Sequence, residues 1–312
     1  MLHQQTTTTI TDTMSTLEAM RLQETSYSCQ DYLQQALTQS QHSFVQGDSE
    51  FTQDDVTVCQ NNRSKMVEWM MTLTDACQLK RDTVSIAMNN MDRYLATPQG
   101  MTHSLRDSSA FQLACMTSLY SAIKVHEEKA LSPEVLSSIS RGFYSKKDME
   151  DMEWSMLNAL QWRVNGPTPL AFVREYLANI PRRVIKDSVK EHVLALAMMQ
   201  TELAVTDYNM STSSKASSIA FAALTNAMDV LGLEFRIVNH YILAKSNLVD
   251  ICQVCDVQSA LFVAVAGVVP SAAAARQQQR STSMLCTQQQ QQASKQHGHS
   301  SISPRTVLNE AA

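Results

Sequence analysis

Val84-Ser85-Ile86-Ala87-Met88-Asn89-Asn90-Met91-Asp92-Arg93-Tyr94-Leu95 carries the pattern that decides the fold. At 100° per residue, Val84, Met88 and Leu95 share one arc and Asp92 borders it, which is the signature of an amphipathic helix. The same periodicity dominates residues 26–268, where Val, Ile and Thr never settle into sustained alternation. The fold class expected is therefore all-α. A short helix near 27–39 precedes five helices at about 61–78, 82–97, 107–126, 133–140 and 146–161. Five more follow at about 169–179, 184–206, 212–230, 234–245 and 248–266.

Several boundaries carry a physical reason. Ser132-Pro133-Glu134 offers an N-cap, a first-turn proline and an acid near the positive end of the helix dipole. Ser145-Lys146-Lys147-Asp148 reads as a capping box with Asp in place of Glu. In Asn165-Gly166-Pro167-Thr168-Pro169, Gly166 and Pro167 stop one helix, and Thr168 caps the next with Pro169 first in it. That break divides the core into units at 26–165 and 166–268. Two successive sets of five helices predict two tandem five-helix folds. Residues 1–25 are polar and Thr-rich and are expected to be flexible. Residues 269–312, with Gln277-Gln278-Gln279 and the Gln288–Gln292 run, predict a disordered Gln/Ser-rich tail.

Composition excludes several functions. The chain holds 7 glycines in 312 residues and no Gly-rich phosphate-loop motif. A net charge of −5 argues against nonspecific binding of nucleic acid. The seven cysteines are irregularly spaced and no basic-then-apolar leader opens the sequence, so free thiols in an intracellular compartment are expected. The apolar stretch 260–275 is interrupted by Gly267, Pro270 and Ser271 and is shorter than the ~20 residues of a membrane span.

Four charges fall on or beside apolar stripes. Arg63 shares an arc with Met66, Val67 and Met70, and Asp92 borders the arc described above. Lys124 lies among Leu113, Thr117 and Tyr120, and Glu153 among Met152, Met156, Leu157 and Leu160. An unpaired buried charge is costly, so each needs a partner. Two readings stand side by side: ion pairs that serve packing alone, or a pair that presents donors and acceptors to another protein.

The residues themselves resemble a known family. Arg63-Ser64-Lys65-Met66-Val67-Glu68-Trp69-Met70 is similar to the first helix of a cyclin box, and Asn89–Leu95 resembles its Asn-x-x-Asp-Arg-Phe/Tyr-Leu signature. Gln112-Leu113-Ala114, Ala122-Ile123-Lys124, Met149–Glu153, Trp162-Arg163-Val164 and Pro167–Phe172 follow in order. The five diagnostic positions match as Arg63, Asp92, Leu113, Lys124 and Glu153. The resemblance is clear over 27–172 and faint over 173–268.

The resemblance implies two tandem cyclin folds and a regulatory subunit of a cyclin-dependent serine/threonine kinase. Such a subunit acts in cell-cycle progression, with catalysis on the partner and no cofactor or metal of its own. It implies that Arg63 and Asp92 form a buried structural pair. It implies that Lys124 and Glu153 centre a kinase-facing surface lined by Ser121, Val125, Leu157, Trp162 and Val164. Substrates or inhibitors of the kinase are further expected partners, and the nucleus is the favoured location. The run Ile123-Lys124-Val125-His126-Glu127-Glu128 departs from the family's Ser-Lys-Tyr-Glu-Glu, which bears on the choice of kinase.

The substrate-docking patch departs further. Met66, Trp69 and Gln112 suit it, but Asn62 and Lys65 replace apolar groups and Thr72 replaces an acid, so weak or altered docking is expected. Cys252-Gln253-Val254-Cys255 is a single CxxC, short of the four ligands of a structural zinc site, and reads as helix packing. Ser303-Pro304 is a minimal proline-directed phosphosite; Arg305–Leu308 and Arg174–Leu177 match Arg-x-x-Leu by short pattern only. The alternative function is a transcription-associated cyclin-fold protein acting through a kinase or a basal factor. A nucleic-acid-binding form of it would need basic surface in the second repeat, where Arg182, Arg183, Lys186 and Lys190 form the local cluster.

Overall fold

The stretch that opened the reading is a helix, Asp82–Leu95, buried along almost all of its length. It belongs to a computed structural model that describes residues 16–38, 58–129, 131–243 and 251–268. Every regular element among the described residues is helical. Residues 16–24 form α1 and residues 32–38 form α2, with the 3-10 turn Thr25–Tyr27 between them. Then come α3 (Gln60–Ala76), α4 (Asp82–Leu95), α5 (Pro98–His103), α6 (Ser108–His126), α7 (Pro133–Ile139) and α8 (Lys146–Ala159). They are followed by α9 (Pro169–Ala178), α10 (Asp187–Thr206), α11 (Tyr208–Ser213), α12 (Ala216–Val230), α13 (Phe235–Val238) and α14 (Ile251–Val268).

Two large apolar cores organise the helices. In the first, α4 packs against α3 and α6, and α6 against α8. Val67, Met70, Val84, Met88, Met91, Leu95, Cys115, Leu119 and Ile123 fill it. In the second, α9, α10 and α14 pack around α12, with Phe172, Tyr176, Val193, Phe221, Leu224 and Leu261 inside. Every residue of α12 from Ser217 to Met228 is buried. A helix covered on all sides must be apolar or small all round, and its four alanines from 220 to 227 let neighbours approach closely. A smaller cluster of Met116, Tyr120, Leu136 and Met149 joins α6, α7 and α8.

The helix caps expected from sequence position the elements. Ser145 accepts from the Asp148 backbone N–H while Asp148 accepts from Ser145, a closed capping box. Thr168 accepts from the Ala171 N–H, with Pro169 first in α9. Ser132 stands at the start of α7, but its hydroxyl does not cap that helix.

Other expectations are corrected. Residues 16–24, expected to be flexible, form α1, because Leu17 is buried in the second core and Glu24 is buried against α12. The helix expected near 27–39 covers only 32–38. The helix expected at 212–230 is broken at Ser214 and Lys215, both extended, so α11 and α12 are separate. The one expected at 234–245 is α13 followed by a wide π-turn over Asn239–Leu243. α5 was not anticipated: Thr97 caps it by accepting from Gly100 N–H. Gly100 is obligatory there, since a Cβ would sit 2.1 Å from the Tyr94 carbonyl oxygen. Residues 1–15 and 269–312 lie outside the described residues, and with them Ser303-Pro304 and Arg305–Leu308.

Candidate functional site

The site is built where α6 and α8 lie against each other. α6 starts at Asp107, whose carboxylate accepts from the Ser109 N–H, and Lys124 falls in its last turn. The capping box sets the phase of α8, so Glu153 turns toward α6. The result is an ion pair between residues 29 positions apart: Lys124 Nζ lies 3.0 Å from both Oε1 and Oε2 of Glu153. The Ser121 hydroxyl donates to Oε1 at 2.8 Å, and Lys124 Nζ stands 4.8 Å from the Tyr120 ring centroid.

Lys124 is 43% exposed and Glu153 13%. A pair this open to water contributes at most about 1 kcal/mol to folding. It lies at the surface rather than within an apolar groove. Burial pulls the Lys124 ammonium down, but the hydrogen bond and charge of Glu153 outweigh it and raise it above the ordinary lysine range. Lysine is raised, so its contribution is complete at neutral pH and is lost as pH climbs through that raised value.

Of the other expected interface residues, Ser121 touches the pair directly. Val125 is exposed, Ser121 and Leu157 are half-buried, and Val164 packs its side chain on the first core while its carbonyl accepts from Asn90 Nδ2. Trp162 is 59% exposed. It sits just past α8, where Gln161 and Trp162 both adopt positive φ, 52° and 60°, in the left-handed region that bulky side chains avoid. The Trp162 N–H closes the helix end by donating to the Leu157 carbonyl. Trp154, not singled out from the sequence, is 62% exposed on α8, and its ring meets Trp162 edge-on at 5.8 Å. Its signal was available: Trp154 falls outside the apolar stripe of α8, and a tryptophan placed toward solvent invites a functional reading.

Arg63 and Asp92 meet in the first core, with side chains 1% and 2% exposed. The contact is bidentate, Nε to Oδ1 at 2.9 Å and Nη2 to Oδ2 at 2.7 Å. Two further bonds were not read from the sequence. Arg63 Nη1 donates to the Val205 carbonyl at 2.8 Å, and the Tyr32 hydroxyl donates to Asp92 Oδ1 at 3.1 Å. Burial works against the guanidinium charge, but Asp92 beside it more than compensates and keeps Arg63 protonated.

On the expected docking patch, Met66 and Trp69 are half-buried against the first core. Gln112 is exposed, with Oε1 accepting from the Tyr144 hydroxyl at 2.9 Å. Asn62 is engaged in capping α3, its Oδ1 accepting from the Cys59 N–H. Thr72 donates to the Glu68 carbonyl.

Other motifs are placed as follows. Arg174–Leu177 lies within α9, with Tyr176 and Leu177 buried. Cys255 of the CxxC is half-buried on α14, and the Cys252 side chain lies outside the described residues. Arg182 pairs with Asp187 at the surface, Lys190 Nζ donates to the Leu177 and Ile180 carbonyls at the end of α9, and Arg183 and Lys186 are exposed. No helix among the described residues is long and apolar enough to cross a membrane, and no group of three metal-ligating side chains converges among them.

Residues 16–165 match the family described as cyclin, N-terminal domain. The chain is 30% identical over 138 residues to the G2/mitotic-specific cyclin-2 of Antirrhinum majus, a stretch covering 44% of this chain and 30% of that protein. It is 27% identical over 171 residues to the G2/mitotic-specific cyclin-3 of Saccharomyces cerevisiae, covering 54% of this chain and 36% of that protein. Among solved structures, a viral cyclin from herpesvirus saimiri superposes with a TM-score of 0.51 at 15% identity, over 66% of this chain and 87% of that one. A chain of the CAK complex of Chaetomium thermophilum bound to ATP-gamma-S gives 0.50 at 14% identity, over 95% and 93%. The structural likenesses show the fold, and the domain match with its relatives identifies residues 16–165 as a cyclin N-terminal domain.

Proposed function

We propose that this chain is the regulatory subunit of a cyclin-dependent serine/threonine kinase and contributes no catalytic residue of its own. The observation that carries the reading is the Lys124–Glu153 pair, held by Ser121 at the surface, with Val125 exposed next to Lys124 in α6. It adds little to folding yet is built with care, which fits a surface completed by a partner. Docking there would hold the kinase's mobile helix inward, where the kinase's own Lys–Glu ion pair can form. A chain that binds only that state raises its population by its differential affinity. Moving the ratio from 1:99 to 99:1 takes about 5.5 kcal/mol of such difference. A buried aromatic anchor and an ion pair shielded on docking are the features that supply energies of this order at interfaces.

A role in cell-cycle progression is the reading supported by two relatives named G2/mitotic-specific cyclins, and the nucleus is the location that goes with it. For the transcription-associated alternative, Arg182, Arg183 and Lys186 remain exposed in the second half, while Lys190 is tied to backbone carbonyls. Substrates or inhibitors of the kinase would meet a patch in which Gln112 is already held by Tyr144.

The test is affinity purification with mass spectrometry of wild type against Lys124→Ala/Glu153→Ala, with thermal unfolding of both as control. A cyclin-dependent kinase recovered with wild type and reduced at least tenfold with the folded double variant is the expected result. Equal recovery of that kinase from both would remove the assignment.

A further inference from the structure

Where the chain leaves α8, successive peptide planes are pinned one after another. The Trp162 N–H donates to the Leu157 carbonyl and the Arg163 N–H to the Leu160 carbonyl, both at the helix end. The next three carbonyls are held by side chains from far away in sequence. The Arg163 carbonyl accepts from Arg93 Nη1 at 2.7 Å, the Val164 carbonyl from Asn90 Nδ2 at 3.1 Å, and the Asn165 carbonyl from Gln23 Nε2 at 3.0 Å. Residues 163–168 lie in neither helix nor strand, so these bonds replace the partners a regular element would give. Just before them, Gln161 and Trp162 hold left-handed φ angles, which two bulky residues in a row keep only where the surroundings over-determine the backbone.

Arg93 is the unusual member of this clamp. It is 9% exposed, yet no carboxylate lies against it among the described residues. Its charge is met by the Arg163 carbonyl, by Asn90 Oδ1 at 3.4 Å and by the ring of Tyr27, whose centroid lies 4.6 Å from the guanidinium carbon. Tyr27 ends the 3-10 turn after α1, and its carbonyl accepts from Asn89 Nδ2 at 3.0 Å. The same ring rests on Gly166, where a Cβ would meet its Cδ1 at 2.6 Å and its Cγ at 2.8 Å. Gly166 is not left-handed, so the ring and not the backbone demands glycine. One aromatic ring therefore touches both the side chain that holds the Arg163 carbonyl and the linker four residues past Trp162.

We propose that Tyr27 is a positioning residue for kinase binding: through Arg93 and Gly166 it holds the 162–166 turn so that the exposed Trp162 indole is presented to the kinase. This rests on the kinase-binding reading, in which Trp162 is an expected contact, and deepens it by making the segment after α1 a determinant of affinity.

The test is titration of a purified cyclin-dependent kinase that binds wild type with the full chain carrying Tyr27→Leu, Tyr27→Phe, Gly166→Ala, Trp162→Leu, Tyr27→Leu/Trp162→Leu or Lys124→Ala/Glu153→Ala. Far-ultraviolet circular dichroism checks that each is folded. Near-ultraviolet circular dichroism reads the Trp154–Trp162 pair, edge-on at 5.8 Å, with no kinase present. Trp162→Leu and Tyr27→Leu are each expected to weaken binding about tenfold. Tyr27→Leu should also diminish the near-ultraviolet signal. Tyr27→Phe keeps the ring over Arg93 and Gly166 and should match wild type in both readouts. Gly166→Ala disturbs the ring from the linker side and should give both losses, so it decides the matter if Tyr27→Leu does not fold. The double variant should bind no more weakly than Trp162→Leu alone, because Tyr27 acts through Trp162. A double loss equal to the product of the two single losses overturns the inference, as does unchanged affinity in Trp162→Leu. Unchanged affinity or an unchanged near-ultraviolet signal in Tyr27→Leu also overturns it, and binding lost in Lys124→Ala/Glu153→Ala then leaves the kinase reading standing. Full binding by Lys124→Ala/Glu153→Ala overturns instead the reading on which the inference rests.

Discussion

Arg63 is the largest side chain buried to less than 2% exposure, and each of its donor nitrogens has an acceptor. Removing one member of such a pair strands the other charge in a medium that cannot solvate it, which costs about 3–5 kcal/mol. Arg63→Met is therefore expected to lower the unfolding free energy by about that much in urea titration, since Asp92 would keep only the Tyr32 hydroxyl. Arg63→Met/Asp92→Leu should recover a large part of the loss, because two apolar side chains leave no orphaned carboxylate. A double variant no more stable than the single one would mean that the bond from Arg63 to the Val205 carbonyl, and not the ion pair, carries the energy. The pairing itself was legible in the sequence: helical arcs placed both charges against apolar stripes, where only mutual neutralisation is tolerable. The Val205 carbonyl and the Tyr32 hydroxyl were not, since they arrive from segments 142 and 60 residues away and no local period encodes such a meeting. The same holds for Lys124 and Glu153, whose stripes were readable but whose exposure depends on where the core stops.

α12 shows how one element depends on another far away in sequence. Its N-cap residue, Lys215, provides no side-chain bond to the helix. Glu24, at the end of α1, performs the task instead, accepting from the Ser217 N–H at 3.0 Å and from the Ser217 hydroxyl at 2.7 Å. A carboxylate at this end also faces the positive pole of the helix. Losing a cap costs about 0.5–2 kcal/mol, so Glu24→Ala should lower stability by about 1–2 kcal/mol, and Glu24→Gln by less, in chemical unfolding. No change in either variant would mean that α12 is held by packing alone. A cap supplied in trans is invisible to local reading, and α1 escapes it for this reason: Leu17 and Glu24 are its two buried residues, with Met20 packed beside them on the second core. α5 is a different case. Thr97-Pro98 carries the same cap-then-proline signal as Thr168-Pro169 and could have been read. The elements with a strong cap or a long stripe, α4, α6, α8 and α9, came out near their true bounds, whereas the segment after α12 did not, because Phe235–Leu243 changes helical pitch midway.

At the scale of the molecule, the two cores are stitched by side chains that leave one half to pack in the other. Tyr208 belongs to α11, between the long helices of the second half, yet it is buried in the first core with Val205. Its ring meets Tyr32 edge-on at 5.2 Å, and its hydroxyl donates to Asp31 while accepting from the Leu33 N–H. Around it, Arg81 reaches Glu202 and Ser64 reaches the Thr206 carbonyl. This stitching predicts that the described halves unfold together. All three tryptophans, Trp69, Trp154 and Trp162, lie before residue 166, so their fluorescence reports on the first core, whereas far-ultraviolet circular dichroism reports on helices of both. In wild type the two signals should coincide along a urea titration, as a single cooperative transition requires. Tyr208→Ala empties an aromatic site in the first core, a loss of about 3–5 kcal/mol. It also deletes the bonds to α2 and the segment before it. The fluorescence midpoint should then fall to lower urea than the dichroism midpoint, because the second core keeps its own Phe172, Tyr176 and Phe221 cluster intact. Coincident midpoints in the variant would show that the two cores remain one unit through the other cross-links. Separate midpoints already in wild type would show that they never were one, and the surface on α6 and α8 would then fold independently of everything after residue 166.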